Sequence, residues 1–258
     1  MSTRQTPLKP LQHWTVLSLR PRGQHAGLRA AATRQGASVL ALSAFAIATI
    51  DDGCNRDDLE KALMADIVVW TSPNAVRAAA ALRPLKPRRG QAWLCVGSGT
   101  RRALLRFGIL ARCPSRMSSE GLLAMPELQG IRGRSIGLVT APGGRGLLQP
   151  TLRKGGAQVL RADVYLRLPL AFTARALAGL DAALAAPERV LLALSSQDAF
   201  ERLVAQASDT RPALTRIAVV AASARLANLA RNAGFQRIAV AANARPGALL
   251  QAATSAFV

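Results

Sequence analysis

The sequence has few aromatic and few acidic residues. Aromatic residues make up 4% of the 258 residues, and only one of them is a tyrosine. Proteins that bind single-stranded nucleic acids stack bases on aromatic side chains, so this scarcity disfavours that class. Lys and Arg number 34 against 14 Asp and Glu, and the net charge of +20 predicts an anionic partner. Arg supplies nearly all of the positive charge and is dispersed along the chain, so part of that charge is interpreted as compositional background.

Cysteine and histidine are also scarce, with three Cys and two His. Their spacing lacks the close pairs that a zinc site needs, so we predict free thiols and no metal. No apolar run reaches the roughly 18 residues of a membrane span. The N-terminal residues lack the apolar segment of a signal peptide. These features predict a cytoplasmic protein without a membrane partner.

The common catalytic motifs are missing as well. The chain has no Gly-x-Ser-x-Gly nucleophile motif and no Walker loop, and Gly97-Ser-Gly-Thr100 is too short for a dinucleotide fingerprint. Paired carboxylates for acid and base catalysis are not evident either. The sequence therefore predicts a function that needs little side-chain chemistry.

Short apolar runs alternate with segments that have apolar residues at helical spacing. This alternation predicts an α/β fold with mostly parallel sheets. The runs are apolar throughout, for example Ile67–Trp70 and Val190–Leu194, as expected where helices cover both faces of a sheet.

The two halves of the chain resemble each other. Residues 67–76 are similar to 190–199, and residues 93–101 to 217–225, at nearly equal spacings of 123 and 124 residues. Matches in the same order predict an internal duplication, with tandem copies at about 14–125 and 134–255.

Small hydroxyl residues or glycine follow almost every predicted strand, just before a helix. Free N–H groups at a helix N-terminus favour a carboxylate or a phosphate. The segments of this kind are Arg20-Pro-Arg-Gly23, Thr71-Ser-Pro-Asn74, Gly97-Ser-Gly-Thr100, Thr140-Ala-Pro-Gly-Gly-Arg145, Ser195-Ser196 and Ala221-Ala-Ser223. Together they predict a cleft between two domains for a ligand with several negative groups. For a single loop, ordinary N-capping of the helix is the alternative.

Tyr165 is the only tyrosine, and it lies in the long extended segment 158–170. A phenol can donate a proton to a leaving group, which makes Tyr165 a candidate catalytic residue. The alternative is an amphipathic tyrosine in a core or an interface.

An ordered set of short motifs resembles the uroporphyrinogen-III synthase family from about residue 14 to the C-terminus. The motifs are Arg20-Pro21, Thr71-Ser-Pro-Asn-Ala-Val76, Val96-Gly97-x-Gly-Thr100, Ser119-Glu-Gly-Leu-Leu123, Gly143-Gly-Arg145, Gly156-Ala157 with Val164-Tyr165, and Val220 to Gly234-Phe235. The order and spacing of these motifs carry the resemblance, since each motif is short.

The resemblance implies two α/β domains joined by a two-stranded β ladder, with the chain crossing over and back. One domain would be residues 1–40 and 171–258, and the other residues 51–157. The ladder would be residues 41–50 with 158–170. Each domain would then combine pieces of both copies.

The resemblance also implies a reaction. The family cyclises hydroxymethylbilane, a linear tetrapyrrole with eight carboxylates, to uroporphyrinogen III, with loss of water and inversion of ring D. Tyr165 would aid the loss of hydroxide. The residues that would bind the substrate are Arg20, Ser72, Thr100, Arg145, Ser195, Ser196 and Ser223. No cofactor and no nucleic acid would be needed, and a monomer is expected.

Two alternatives stay open at this point. The net charge also suits a non-catalytic protein that binds a polyanion or nucleic acid. Leu19 stands where the family often has Thr, and Ala221-Ala222 stand where many members have a glycine-containing turn. An inactive paralogue of the synthase is therefore the other alternative.

Overall fold

A computed structural model describes residues 9–143, 146–207 and 211–258. These residues form two compact units. Unit 1 takes the chain up to Ala46 and again from Leu168 to Val258, and unit 2 takes Ile47–Arg167.

The strands of the two units are short. They are β1 (Thr15–Ser18), β2 (Ser38–Ala41), β3 (Phe45–Thr49), β4 (Ile67–Trp70), β5 (Ala92–Cys95), β6 (Ser135–Thr140), β7 (Gln158–Asp163), β8 (Tyr165–Pro169), β9 (Val190–Leu194), β10 (Ala218–Ala221) and β11 (Arg237–Val240).

Helices connect most of these strands. They are α1 (Ala26–Arg34), α2 (Gly53–Met64), α3 (Pro73–Leu82), α4 (Ser98–Leu105), α5 (Ser119–Leu123), α6 (Leu148–Lys154), α7 (Ala174–Leu184), α8 (Gln197–Gln206), α9 (Arg211–Leu214), α10 (Ala224–Asn232) and α11 (Pro246–Phe257). Several begin after a serine or threonine whose side chain accepts a hydrogen bond from the first turn, as Thr173 does for Ala176. Such a cap stabilises a helix by about 1 kcal/mol.

The sheet of unit 1 has the strand order β11-β10-β9-β1-β2, and its strands pair in parallel. Successive residues of a strand point to opposite faces, so Val16 and Leu17 enter different apolar clusters. Val16 packs with residues of α1 and α11, and Leu17 packs with residues of α7, α8 and α10. Helices therefore bury both faces of this sheet.

The sheet of unit 2 has the order β5-β4-β6-β7 and is also parallel. Val68 and Trp70 pack with residues of α2, α3 and α4, whereas Ile67 and Val69 pack with residues of α5 and α6. The apolar runs of the sequence are thus explained in the same way in both units.

A separate two-stranded antiparallel ladder pairs β3 with β8. The boundaries between the units fall within these two strands. The ladder is shorter than the ranges 41–50 and 158–170 implied by the resemblance. Residues 158–163 form β7, which pairs in parallel with β6, and the chain enters the ladder after Val164.

The fold class expected from the sequence is confirmed: two parallel sheets flanked by helices and a connecting β ladder. Each sheet contains strands from both halves of the chain. Unit 1 combines β1 and β2 with β9, β10 and β11, and unit 2 combines β4 and β5 with β6 and β7.

Candidate active site

In each sheet the strands run in parallel, so their carboxyl ends meet at one edge. Ligands of open α/β sheets bind at this edge. In unit 1 the residues expected from the sequence follow β1, β9 and β10, and they are Arg20, Ser195, Ser196 and Ser223. In unit 2 they follow β4, β5 and β7, and they are Ser72, Thr100 and Tyr165. Arg145 lies outside the described residues.

The structure brings Ser72 and Tyr165 together at the edge of unit 2. Ser72 caps α3, and its Oγ accepts a hydrogen bond of 3.1 Å from the backbone N–H of Ala75. The hydroxyl of Tyr165, the first residue of β8, lies 3.0 Å from the same Oγ, and either atom can be the donor. The phenol is therefore linked to the N-terminus of α3, where the peptide dipoles favour negative charge.

Tyr165 is held rigidly by its surroundings. Its side chain is 2% exposed and belongs to the same apolar cluster as Trp70 and Val139. Directly before Ser72, Thr71 Oγ1 donates a hydrogen bond of 2.9 Å to Thr140 Oγ1, which ties the end of β4 to the end of β6. The phenol can thus hold one position at this edge with little loss of side-chain freedom.

A cation also lies near this phenol. Burial of the Arg77 side chain lowers the pKa of its guanidinium, as does the neighbouring Arg106, while Tyr165 acts in the opposite direction. Arg77 donates a hydrogen bond to Asn74 Oδ1 on the first turn of the same helix. Tyr165 therefore lies within electrostatic reach of a positive charge on α3.

Arg161 contacts described residues on both sides of the glycine-rich segment that follows β6. Its guanidinium binds both carboxylate oxygens of Asp163, at 2.9 to 3.1 Å, and donates to Gln149 Oε1 at 3.0 Å and to the carbonyl of Ala141 at 3.2 Å. Ala141 and Gln149 stand at the two sides of the glycine-rich segment. Sequence reasoning missed this role of Arg161, although residues two apart on a strand share a face, which is the signal for its pair with Asp163.

The structure places Thr100 on a helix and not in a loop. It was expected in a loop that lines the ligand cleft, but it lies within the first turn of α4 and its side chain is 3% exposed. The reason is that Gly97 caps this helix, so that the helix starts at Ser98 and carries Thr100 into the packed side of its first turn. In this position Thr100 stands in the first turn of α4, and its role as a substrate-binding residue stays a prediction.

The serines of unit 1 lie at the N-termini of two neighbouring helices. Ser196 caps α8 and Ser223 caps α10, with hydrogen bonds of 3.4 Å from the backbone N–H groups of Ala199 and Leu226. A hydrogen bond from Arg225 to Gln197 Oε1 joins the first turns of the two helices. Ser195 is half-buried at the end of β9, next to this pair.

Arg20 is a partly buried cation at this edge. Its guanidinium donates a hydrogen bond of 3.0 Å to the carbonyl of Ala244, in the segment that follows β11, and burial lowers its pKa. A guanidinium that is partly withdrawn from water and held at one end can bind a carboxylate with a charge-assisted hydrogen bond.

Sequence reasoning missed His25, which is 7% exposed at the start of α1. Its Nδ1 lies 2.8 Å from Ser18 Oγ and its Nε2 lies 2.8 Å from Ser43 Oγ. Its partners are 7 and 18 residues away, and they reach the ring because parallel pairing places the ends of β1 and β2 side by side. The sequence shows only that a histidine precedes a helix.

Within the described ranges no group of three or more His, Cys, Asp or Glu side chains is placed to hold a metal ion. In the same part of the chain no helix is both long and apolar enough to cross a membrane. The groups that the two edges offer to a ligand are hydroxyls, helix N-termini and guanidinium groups. These groups suit the binding of anions and the donation of a proton.

Comparisons with known proteins identify relatives of this chain. A family model described as Uroporphyrinogen-III synthase HemD matches residues 26–251. The uroporphyrinogen-III synthase of Salmonella typhimurium is 35% identical over 175 residues, which cover 66% of this chain and 68% of that protein. The Escherichia coli enzyme of the same name is 33% identical over 141 residues, which cover 53% of this chain and 55% of that protein.

Solved structures share the fold. A mutant uroporphyrinogen III synthase from Thermus thermophilus superposes with a TM-score of 0.63 at 24% identity, covering 94% of this chain and 98% of that one. A uroporphyrinogen-III synthetase from Helicobacter pylori gives a TM-score of 0.51 at 12% identity, with the same coverage of 94% and 98%. At these identities the likeness concerns the fold alone.

Proposed function

The chain belongs to the uroporphyrinogen-III synthase family, and from this premise we propose that it converts hydroxymethylbilane to uroporphyrinogen III and water. It is a cyclising lyase of porphyrin biosynthesis. The ring D end of the substrate is inverted during closure. A non-catalytic protein that binds a polyanion or nucleic acid is not favoured, because the family model spans most of the chain.

The proposal of a catalytic site rests on the hydrogen bond between Tyr165 and Ser72. The first step of the reaction breaks the bond between the terminal carbon and its hydroxyl, and that hydroxyl leaves as water if it receives a proton. The phenol of Tyr165 supplies this proton as a general acid. The nitrogen of the terminal pyrrole supplies the electrons, which gives an azafulvenium cation beside the phenolate. Return of the N–H proton to the phenolate then gives the azafulvene and restores the phenol.

Ser72 assists this proton transfer. Its Oγ already accepts a hydrogen bond from the N–H of Ala75, so its own proton is available to the oxygen of Tyr165. As the phenol loses its proton, this hydrogen bond and the N-terminus of α3 stabilise the developing negative charge. The later steps, in which the substituted end of ring D attacks, fragments and closes again, rest on the reactivity of the pyrroles.

Unit 1 supplies binding groups for substrate carboxylates. The capped N-termini of α8 and α10 present N–H groups near Ser195, Ser196 and Ser223, and Arg20 adds a partly buried cation. Such groups bind carboxylates through charge-assisted hydrogen bonds. In unit 2, Ser72 stands at the corresponding place, and Thr100 and Arg145 stay predictions as substrate-binding residues.

We further propose that the enzyme works without a cofactor, as a monomer in the cytoplasm, on this small molecule and not on nucleic acid. The free state of Cys54, Cys95 and Cys113 suits a reducing compartment. The few aromatic side chains argue against stacking of bases.

The test is an incubation with hydroxymethylbilane that is generated enzymatically in the same vessel. The product is oxidised to the porphyrin, and its isomers are separated by chromatography. We expect the type III isomer with the protein, and the non-inverted type I isomer when the protein is omitted or denatured. The type I isomer alone in the presence of folded protein would contradict the proposed function. The chain would then be an inactive paralogue of the synthase.

A further inference from the structure

His25 occupies a central position at the carboxyl edge of unit 1. Its imidazole bonds Ser18 at the end of β1 and Ser43 just after β2, while its own backbone begins α1. One buried ring therefore fastens three segments that converge at the edge where we propose that carboxylates bind. A ring with both nitrogens bonded at 2.8 Å has a single well-defined orientation.

The charges near the ring favour its neutral form. A neutral imidazole donates from one nitrogen and accepts at the other, and serine hydroxyls can fill either role. The hydrogen bonds alone therefore allow both protonation states. Burial disfavours the imidazolium, and so do Arg29 on α1 and Arg20 in the preceding loop, so that the pKa of His25 lies below its ordinary value.

The ring also anchors the loop that carries Arg20. This loop runs from Ser18 to His25, so the bond between these two residues closes it at its base. Within the loop, the N–H of Arg22 donates to the carbonyl of Phe45 at 2.8 Å, and the guanidinium of Arg20 reaches the carbonyl of Ala244. The position of the Arg20 guanidinium thus depends on a loop whose two ends are fixed by one imidazole.

We propose that His25 is a positioning residue, whose imidazole joins the ends of β1 and β2 to the start of α1 and thereby holds Arg20 ready for a substrate carboxylate. The proposal rests on the proposed function, because it assigns His25 to the binding of the same substrate. A carboxylate that met a displaced Arg20 would lose a charge-assisted hydrogen bond, whereas the chemistry at Tyr165 would be unaffected.

The first test does not depend on activity. The chain has two histidines, so 15N labelling of histidine gives a simple spectrum, and a His13→Asn variant assigns the signals. Asn is chosen because His13 has a positive φ of 68°, which Asn tolerates. We expect one protonated and one unprotonated ring nitrogen in His25 at pH 7, and titration only at lower pH. A ring that titrates like a solvent-exposed imidazole would overturn the proposal, because such a ring would not be held between Ser18 and Ser43.

The second test measures kinetics with hydroxymethylbilane. His25→Phe keeps an aromatic ring but removes both hydrogen bonds, and we expect KM to rise about tenfold, as for one weakened charge-assisted hydrogen bond, with kcat little changed. His25→Gln, whose amide can bond a serine, should recover part of the loss. Ser43→Ala, which removes one partner only, should raise KM less than His25→Phe does.

The outcomes separate this inference from the proposed function. If the wild-type protein is active but His25→Phe and Ser43→Ala leave KM unchanged, the positioning role of His25 is wrong while the function stands. A fall in kcat at constant KM would equally contradict it. If the wild-type protein makes no type III product, the proposed function is wrong and the assignment of His25 to substrate binding fails with it. The NMR titration then still decides whether the ring is neutral.

Discussion

The carboxyl edges of the two units share a serine that caps a helix, but they carry different functional groups. Ser72 in unit 2 and Ser196 in unit 1 stand 124 positions apart, each caps a helix that follows a sheet strand, and each accepts a hydrogen bond from the residue three positions later. In unit 2 the serine also bonds the phenol of Tyr165. In unit 1 the neighbouring strands bring a buried imidazole and Arg20 to the same edge.

The comparison separates a structural feature that both edges share from the functional groups that differ between them. A serine that caps a helix is a structural device at both positions, worth about 1 kcal/mol. The functional groups differ, because Tyr165 provides a proton donor in unit 2 and Arg20 provides a positioned cation in unit 1. We therefore expect substitutions at the edge of unit 2 to act on kcat and those at the edge of unit 1 to act on KM.

The largest effect is expected from helix packing. A Cβ added to Gly137 in β6 would lie 1.8 Å from the carbonyl oxygen of Ala62 in α2, whereas one added to Gly179 in α7 of unit 1 would lie 3.0 Å from the flexible side chain of Leu40. Because a backbone carbonyl in a helix cannot move aside, Gly137→Ala should lower the free energy of unfolding by more than about 3 kcal/mol. Gly179→Ala should stay within about 1 kcal/mol of the wild type, since it also gains helix propensity. Urea unfolding measures both, and equal stabilities would refute this difference between the units.

Tyr165→Phe tests the proton donor of unit 2. We expect kcat to fall about 100-fold, a typical contribution of general acid catalysis, and the stability to fall by about 1 kcal/mol through loss of the bond to Ser72. Thr254→Val is the matched control in unit 1, because it removes a side-chain hydrogen bond to Gln35 of 2.8 Å, on helix α11. The control should lose similar stability and keep kcat. Full activity of Tyr165→Phe would remove the proton-donor role without touching the family membership.

The two equivalent serines provide a direct comparison. Ser196→Ala should cost about 1 kcal/mol, as expected for an N-cap. Ser72→Ala should cost about 2 kcal/mol, because the bond to Tyr165 is lost in addition. Thermal and urea unfolding measure the free energy of unfolding of the two variants and of the wild type. Equal losses would mean that the bond between Ser72 and Tyr165 contributes nothing to stability.

The pH dependence of stability tests the buried imidazole of unit 1. The folded-state pKa of His25 is lowered, so the unfolded chain binds a proton first as the pH falls. This contribution to stability is fully present above about pH 6.5 and is lost as the pH falls below it, with a slope of at most about 1.4 kcal/mol per pH unit. Urea unfolding between pH 7.5 and 5, in a His13→Asn background, should show this slope with His25 and a shallower one with His25→Phe. Identical slopes would speak against a lowered pKa.

The smallest effect concerns the thiols, which all lie in unit 2. Cys54 is exposed, whereas burial and the neighbouring Cys113 raise the pKa of Cys95 to about 12. A disulfide reagent at pH 8 should therefore modify Cys54 rapidly and leave Cys95 unmodified until the protein unfolds, because the thiolate is the reactive form. A Cys54→Ser variant should lose the rapid phase. Rapid modification of Cys95 in the native protein would contradict its burial.

The sequence was sufficient for the fold class, because alternation of fully apolar strands and helices is a property of short segments. It was less informative where tertiary contacts decide. Residues 38–49 and the extended segment 158–170 each form two strands, since β2 and β7 pair within parallel sheets and β3 and β8 pair with each other. No local pattern marks the residues at which a strand leaves one sheet for another.

The candidate site was predictable to the same extent. Ser72 and Tyr165 were found as separate residues, but their bond joins positions 93 residues apart and follows from the fold. Thr100 was misplaced because the helix begins at the preceding glycine cap, which the hydroxyl pattern does not reveal. His25 was missed because its two hydrogen bonds depend on the pairing of β1 with β2.

The most direct test of the division between the two edges is the steady-state kinetics of Tyr165→Phe and His25→Phe with hydroxymethylbilane, measured side by side on the type III product. We predict that Tyr165→Phe lowers kcat with little change in KM, and that His25→Phe raises KM with little change in kcat. A change of the same kinetic constant in both variants would contradict this, because the two edges would then not divide binding and proton transfer between them.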